Sequence, residues 1–254
     1  MGMSWGGVAS ASKTRLDLAL VERGLADSRT QAQALIMAGL VYRGEVKLDK
    51  SGMDIAEDVE ITVRGKEHPW VSRGGMKLAK ALAEFSIDVT GAVAMDVGSS
   101  TGGFTDVLLT QGASKVYAVD VGTGQLDVKL RNDPRVVVME QTNARHLTRD
   151  MVPDPIDLIV CDASFISLKT VLPAALALAA PKARLVTLIK PQFEVGKKEV
   201  SRGKGVITDP RLHEQVCADI QSWIQCEGWL VHGLTESPIT GPKGNKEFLL
   251  YASK

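Results

Sequence analysis

Two amines and two carboxylates stand where the pattern of this sequence delivers side chains to the ends of apolar segments. Asp162 follows the apolar run that closes at Cys161, in IVCDASF, and Lys190 follows the run that closes at Ile189, in VTLIKPQF. Glu247 opens the last apolar run, behind the turn Gly241-Pro242-Lys243-Gly244-Asn245, and Lys77 belongs to an amphipathic segment further upstream. Each of these residues alone is most simply read as half of a surface ion pair. Gathered at one place they suit proton transfer: an amine takes a proton from a weakly acidic hydroxyl, while carboxylates orient that amine and complement a positively charged reactant.

The elements that must gather them follow from periodicity. Short apolar strands are expected at 93–97, 116–119, 136–139, 158–161 and 185–189, with helices between them, and the alternation predicts a doubly wound, Rossmann-like α/β sheet. Such sheets bind ligands outside the carboxyl ends of their strands, where Gly98, Asp120, Asn143, Asp162 and Lys190 all fall. Adjacent parallel strands then bring Asp162 and Lys190 to one rim. A strand over 229–234 and a returning strand over 247–251 complete the sheet, and because the returning strand begins where the others end, Glu247 reaches the same rim. A helix from Arg73 to about Phe85, capped by Ser72, carries Lys77 toward it, with Lys80 also on its polar side.

The loop Gly98-Ser-Ser-Thr-Gly-Gly103 narrows the choice of ligand. Dinucleotide binding wants a second glycine where Ser100 stands, and a P-loop wants lysine where Phe104 stands, so neither phosphate-binding fingerprint is met. A close backbone approach to a ligand without strong negative charge remains, with Asp120 placed to accept from two ribose hydroxyls. S-adenosylmethionine has that character. Asn143 is placed either to donate to an adenine edge or to cap the turn that follows it.

Methyl transfer from a sulfonium to a hydroxyl is an in-line displacement with a good leaving group, so the protein must chiefly align the reactants and free the nucleophile of its proton. Lys190 is the expected general base. A second ammonium at Lys77 and loss of water favour its neutral form, whereas Asp162 favours the charged form; Asp162 is therefore expected to orient Lys190 and to complement the sulfonium, and Glu247 to position Lys77 or the ribose.

Composition excludes several classes. The 254 residues are 44% apolar and 24% charged, with formal net charge +0, so the chain is neither disordered nor a global polycation, and any nucleic-acid surface must be local. Cys161, Cys217 and Cys226 form an odd set without a CxxC pair, which argues against a disulfide framework and a thiolate metal site; no metal is expected, and a cytoplasmic location is. The most apolar stretch, 171–180, contains Pro173 and is too short to cross a bilayer, so no membrane partner is expected. Residues 1–12 read as a loose leader.

Ahead of the sheet, 13–65 form a small α+β unit, followed by a linker over 66–71 and the larger domain over 72–254. Leu16, Leu20 and Val21 mark one helix; a second runs from the cap Ser28 to Gly39; a hairpin turns at Arg43-Gly44, and Val59, Ile61 and Val63 alternate as a strand. Seven basic residues against five acidic ones between Lys13 and Lys50 decide nothing by themselves. Their arrangement does, since RLDLALVERGLADSRTQAQALIMAGLVYRG resembles the S4 RNA-binding domain. The resemblance implies RNA contacts by Arg15, Arg29, Arg43 and Lys47, with Arg43 standing where the family usually has Asn.

With SRGGMKL at 72–78, DVGSSTGGFTD at 96–106, VDVGTGQL at 119–126, CDASFISL at 161–168, IKPQFEVG at 189–196, DPRLH at 209–213 and SPITGPKGNKEFL at 237–249, nearly the whole chain resembles the hemolysin-like TlyA family of rRNA 2'-O-methyltransferases. The resemblance implies an S4 domain joined to an FtsJ-like domain, a Lys-Asp-Lys-Glu tetrad at Lys77, Asp162, Lys190 and Glu247, and S-adenosylmethionine contacts at Asp96, Gly98, Ser99, Gly102, Asp120 and Asn143. It also implies cytidine 2'-hydroxyls of ribosomal RNA, within ribosomal subunits, as targets.

A local positive patch supports that partner. Residues 190–204 hold five basic residues against two acidic ones, and Lys197, Lys198, Arg202 and Lys204 are expected to contact RNA from a mobile loop hinged at Gly196, Gly203 and Gly205. Competing readings are a methyltransferase for protein or small molecules, which leaves the S4-like unit without a use, a nonenzymatic RNA-binding assembly protein, and a membrane-active hemolysin.

Overall fold

The computed structural model describes residues 13–26, 28–65 and 68–254, without the side chains of Lys197, Lys198, Arg202 and Pro242. The expected leader and the start of the linker lie outside the described residues. The chain divides into two compact units, the second beginning at His68.

In the first unit β1 (Lys13–Arg15) leads into α1 (Leu16–Glu22) and α2 (Arg29–Met37), followed by β2 (Val41–Arg43), β3 (Val46–Lys47), β4 (Asp54–Ala56) and β5 (Thr62–Val63). Ser28 caps α2 by accepting from the Gln31 N–H, and Gly39 beyond its end takes the left-handed backbone that closes a helix, at φ +71°. Leu16, Leu20, Ile36, Val41, Ile55 and Ile61 fill its core. The β1–β4 pairing carries no alternation of its own and was not expected from sequence, whereas the expected strand over Val59 to Val63 shrinks to β5, because the Val59 N–H is turned back onto the Ala56 carbonyl.

The second unit runs α3 (Gly75–Glu84), β6 (Val93–Val97), α4 (Gly103–Thr110), β7 (Lys115–Val119), α5 (Val128–Arg131), β8 (Val136–Met139), β9 (Ile156–Cys161), α6 (Leu168–Val171), α7 (Pro173–Leu176), β10 (Ala179–Ile189), α8 (Pro191–Glu194), α9 (Lys197–Arg202), α10 (Pro210–Cys226), β11 (Leu230–Glu236) and β12 (Phe248–Ser253). The strands form one sheet in the order β11-β12-β10-β9-β6-β7-β8, parallel except for β12, which runs against β10 and β11. Central strands are apolar on both sides because both faces are covered. Leu78, Leu82, Phe104 and Leu108 from α3 and α4 cover one face; Leu168, Leu172, Val216, Ile220 and Ile224 from α6, α10 and the turn before α7 cover the other. The strand order reverses between β6 and β9, so a crevice opens at their carboxyl ends.

Two expectations are corrected here. The helix bearing Lys77 starts at Gly75 with Gly74 at its N-cap and no side-chain cap, not at Arg73 under Ser72. The reason is close packing against the start of α4: a Cβ on Gly103 would lie 2.4 Å from Ser72 Oγ and 2.8 Å from the Gly75 nitrogen. The basic segment after Lys190 is likewise not an open loop. It forms α9, and the turn beyond it is pinned by Asn245, whose Oδ1 accepts from the Ile207 N–H at 3.0 Å and whose Nδ2 donates to the Gly205 carbonyl at 2.9 Å. No described helix is long and apolar enough to cross a membrane.

Candidate active site

The four charged residues meet. Lys190 Nζ lies 2.6 Å from Asp162 Oδ1, Lys77 Nζ lies 3.1 Å from Asp162 Oδ2, and Lys77 Nζ lies 2.7 Å from Glu247 Oε2. The result is a row of alternating charge, Lys190, Asp162, Lys77, Glu247. Each position has a structural cause. β9 and β10 are parallel neighbours in register, Thr187 beside Cys161, so Asp162 and Lys190 emerge together. Ile189 pairs with Phe248 across the antiparallel β10–β12 ladder, which sets Glu247 one residue away on the same rim. α3 packs on α4 and β12 and lowers Lys77 between the carboxylates.

Lys77 and Lys190 are buried and Glu247 is almost completely so, whereas the Asp162 side chain keeps 18% of its exposure. Glu247 therefore reaches Lys77 rather than solvent. Its space is left by Gly241, where a Cβ would come within 2.3 Å of Glu247 Oε1. Removing four charges from water is costly unless they pair, and here each ammonium meets carboxylate oxygen.

Two cavities share this rim. One, of about 310 Å³, is lined by the four charged residues together with Ser72, Arg73, Asp96 and Ser164. The other, of about 620 Å³, is lined by Val119, Asp120, Val121, Asn143, Phe165 and Ile166 among others. Gly98, Ser100, Asp162 and Ser164 line both.

The residues expected to hold a methyl donor divide between them. Asp120 faces the larger cavity at the end of β7, held by the Ser100 N–H at 2.8 Å and the Gly122 N–H at 2.7 Å. Asn143 faces the same cavity, and its Oδ1 caps the following turn by accepting from the Arg145 N–H at 3.1 Å. Gly98 adopts φ +84°, and a Cβ there would lie 3.0 Å from Ala163 Cα, so this glycine lets the segment after β9 press onto the end of β6. Ser99 is buried in the smaller cavity's wall, while Gly102, at φ +94°, lines neither cavity and faces Leu126 and Leu130.

Asp96 lies in the smaller cavity's wall. Its Oδ2 accepts from the Thr105 N–H at 3.0 Å and hydroxyl at 2.7 Å, and its buried Oδ1 has no partner. Burial pushes this carboxyl up to about 7, the Thr105 bonds opposing it and the Asp162 and Asp120 charges adding to it. An unpartnered buried carboxylate oxygen suits a ligand that brings a cation or donor. A cavity of nucleoside size with a carboxylate at the end of β7, and the orphaned Asp96 oxygen beside the tetrad, fit S-adenosylmethionine, which carries ribose hydroxyls, a sulfonium and an ammonium. Among the described residues no cluster of His, Cys, Asp and Glu could hold a metal ion.

The residues expected to touch RNA fall in both units. In the small unit Asp17, fully buried, accepts from Arg15 Nε at 3.1 Å, Arg29 Nε at 2.9 Å and Gln33 Nε2 at 2.9 Å. These bonds, those from Arg15 and Gln33 foremost, hold the Asp17 carboxyl far below the ordinary carboxylate range. Arg15 and Arg29 thus share one anchor and remain about half exposed, at 44% and 52%. Arg43 and Lys47 lie instead on the β2–β3 hairpin, both exposed. Lys204 is exposed beyond α9, while the Lys197, Lys198 and Arg202 side chains fall outside the described residues. Sequence reasoning missed Ser164, which accepts from Lys190 Nζ at 2.8 Å, and Arg73 and Ser100 in the cavity walls. All three stand inside the quoted motifs, but neither their residue type nor their spacing gives any of them a role of its own.

Residues 70–254 match the FtsJ-like methyltransferase family and residues 14–61 the S4 domain. YqxC of Bacillus subtilis is 49% identical over 243 residues, covering 95% of this chain and 86% of its own. The 16S/23S rRNA (cytidine-2'-O)-methyltransferase TlyA of Mycobacterium tuberculosis is 48% identical over 242 residues, covering 95% of this chain and 90% of its own. A solved structure from Streptococcus thermophilus that carries the hemolysin name aligns with TM-score 0.75 and 42% identity over 96% of this chain and 90% of that one. A Rossmann-like sheet that gathers Lys77, Asp162, Lys190 and Glu247 at its switch point, an S4 unit ahead of it and relatives spanning both place this chain in the TlyA-like family of rRNA 2'-O-methyltransferases.

Proposed function

We propose that this protein is a cytoplasmic enzyme that transfers the methyl group of S-adenosylmethionine to the ribose 2'-hydroxyl of cytidine in 16S and/or 23S ribosomal RNA, acting on ribosomal subunits. The observation that carries the reading is the row Lys190, Asp162, Lys77, Glu247 at the wall shared by two cavities, one large enough for a nucleoside. The name of the Mycobacterium tuberculosis relative supports the base and the position.

When bound, S-adenosylmethionine supplies an electrophilic methyl group whose departure needs no acid. Asp120 and Asn143 hold its adenosine part, Gly98 and Ser99 shape the turn beside it, and the free oxygen of Asp96 receives a donor from its charged end. As the neutral amine, its own proton having passed to solvent, Lys190 takes the proton of the RNA hydroxyl. Asp162 holds Lys190 in place by 2.6 Å contact and complements the positive charge of the methyl donor, while Lys77, fixed by buried Glu247, keeps Asp162 turned toward Lys190. The unit at 13–65 grips RNA through Arg15 and Arg29, with Arg43 and Lys47 on its hairpin, and Lys197, Lys198, Arg202 and Lys204 add phosphate contacts beside the catalytic domain at 72–254.

The test is to incubate unmodified small and large ribosomal subunits separately with purified protein and labelled S-adenosylmethionine, then map 2'-O-methyl sites. Label at a cytidine ribose in either subunit is the expected result. Label only on protein, on a base or nowhere would overturn the reading.

A further inference from the structure

Lys190 is surrounded more completely than a base can be while it works. Three oxygens stand around its Nζ: Asp162 Oδ1 at 2.6 Å, Ser164 Oγ at 2.8 Å and the Asp162 backbone carbonyl at 3.3 Å. An sp³ nitrogen has four directions, of which one is its bond to Cε; hydrogen bonds to Ser164 Oγ and the Asp162 carbonyl take two more, and Asp162 Oδ1 crowds the nitrogen at ion-pair distance without a hydrogen bond of its own. A ribose hydroxyl that is to give its proton to this nitrogen must approach within about 2.6–3.2 Å and take over one of those directions.

The three are not equally able to yield. Asp162 Oδ1 is charged, close to Lys190, and part of a carboxylate whose other oxygen is held by Lys77. The Asp162 carbonyl belongs to a backbone fixed by the bond from its own N–H to the Val97 carbonyl at 3.1 Å and by Ala163 lying against Gly98. Ser164 Oγ is neutral, sits on an exposed residue and can leave by rotation about one bond. Like Asp162, Ser164 lines both cavities, so its departure clears their shared boundary. The reacting hydroxyl must occupy the same boundary, within reach of the base on one side and the methyl group on the other.

We infer that the Ser164 hydroxyl holds the place of the nucleophilic ribose hydroxyl in the RNA-free enzyme, and that RNA docking exchanges one alcohol for the other on Lys190. The inference rests on the reading of Lys190 as the base and adds how the base is kept before substrate arrives. One alcohol on this nitrogen is replaced by another: the Ser164 hydroxyl accepts from the ammonium at rest, the ammonium gives that proton to solvent as the serine leaves, and the ribose hydroxyl then donates to the neutral amine, so a nucleotide without a 2'-hydroxyl has nothing to offer in exchange. Ser164 is accordingly a positioning residue that departs, not a member of the proton-transfer step.

The test uses the full chain and whichever unmodified ribosomal subunit accepts label. In Ser164→Ala no serine hydroxyl has to be displaced, so KM for the subunit falls by about threefold or more. A purely structural role for Ser164 would not lower KM. A structure of that subunit with wild-type protein and the unreactive donor analogue sinefungin should show the ribose oxygen within hydrogen-bond distance of Lys190 Nζ and Ser164 Oγ turned away from it. A tenfold or larger loss of kcat in Ser164→Ala, an unchanged KM, or Ser164 still bonded to Lys190 in that complex would overturn the exchange. Failure of the base reading looks different: Lys190→Ala would then turn over normally whatever Ser164 does.

Discussion

Asp162 holds Lys190 with two different oxygens, its side-chain Oδ1 at 2.6 Å and its own backbone carbonyl at 3.3 Å. The contact does not depend on the rotamer of one flexible side chain alone, because the carbonyl is part of the backbone leaving β9. Lys77 takes the remaining carboxylate oxygen at 3.1 Å. The base is thereby oriented from one residue, and that residue is oriented from the next.

Lys190→Ala should lower kcat by about a hundredfold or more, since an oriented acid–base group contributes on that scale, and Lys77→Ala should also cut kcat severely by releasing Asp162. Affinity for S-adenosylmethionine, measured by calorimetry, should change little, because the larger cavity contains neither lysine. Near-normal initial rates in both variants would remove the mechanism.

Gly241→Ala tests the far end of the row. The backbone there is ordinary for any residue, at φ −68°, but the new Cβ would meet Glu247 Oε1 at 2.3 Å and drive it from Lys77. Turnover should fall severalfold with the sheet intact by circular dichroism. Glu247→Gln leaves a buried lysine short of charge and should lower stability by about 3–5 kcal/mol at most, the range for breaking one side of a buried pair. A Gly241→Ala enzyme as active as wild type would show that the Glu247 contact is dispensable.

Arg29→Ala should weaken RNA binding and flatten its salt dependence by about one unit of logarithmic slope if one phosphate contact is lost. Arg15→Ala should act in the same direction, since both guanidiniums are set by Asp17. Donor affinity should be untouched. An unchanged RNA dissociation constant in both variants would count against the RNA role of this face.

Asp17 also makes the small unit acid-sensitive. Its carboxyl is held below the ordinary value, first by Arg15 and Gln33, so its contribution is full above an unfolded-state pKa of about 3.9 and is lost as pH falls through the folded-state value. Wild type should lose thermal stability between about pH 5 and pH 2 more steeply than Asp17→Asn, which has no such proton to take up. Parallel curves would refute this.

Asp96 works in the opposite sense. Burial raises its carboxyl to about 7, so the folded protein binds a proton that the unfolded chain releases near pH 3.9, and stability declines as pH rises through that window. Asp96→Asn should therefore gain stability relative to wild type between about pH 4 and pH 7, with no further gain above it. Urea midpoints at pH 5 and pH 8 check this, and a pH-independent difference would place the charge elsewhere.

Much of this was legible from local pattern. Apolar runs ending at Val97, Val119, Cys161 and Ile189 mark strands because a buried parallel sheet needs apolar side chains on both faces, and the next residue of each is then forced to the rim. The Ser28 cap and the Gly39 stop read correctly for the same local reason. The Ser72 cap did not, because Gly74, Gly75 and Gly103 serve the contact between two helix starts that are far apart in sequence. The glycines around the basic segment suggested a loose loop, yet Asn245 fastens its end.

The sequence by itself determined where each strand ends, and therefore that Asp162, Lys190 and Glu247 share an edge. Only the tertiary structure decided that Glu247 is sealed behind Lys77, that Asp96 keeps one oxygen without a partner, and that Ser164 is the hydroxyl resting on Lys190. The difference is physical. Strand ends follow from periodic burial along a few residues, whereas these contacts depend on register between strands and on side chains brought within a few ångströms from distant parts of the chain.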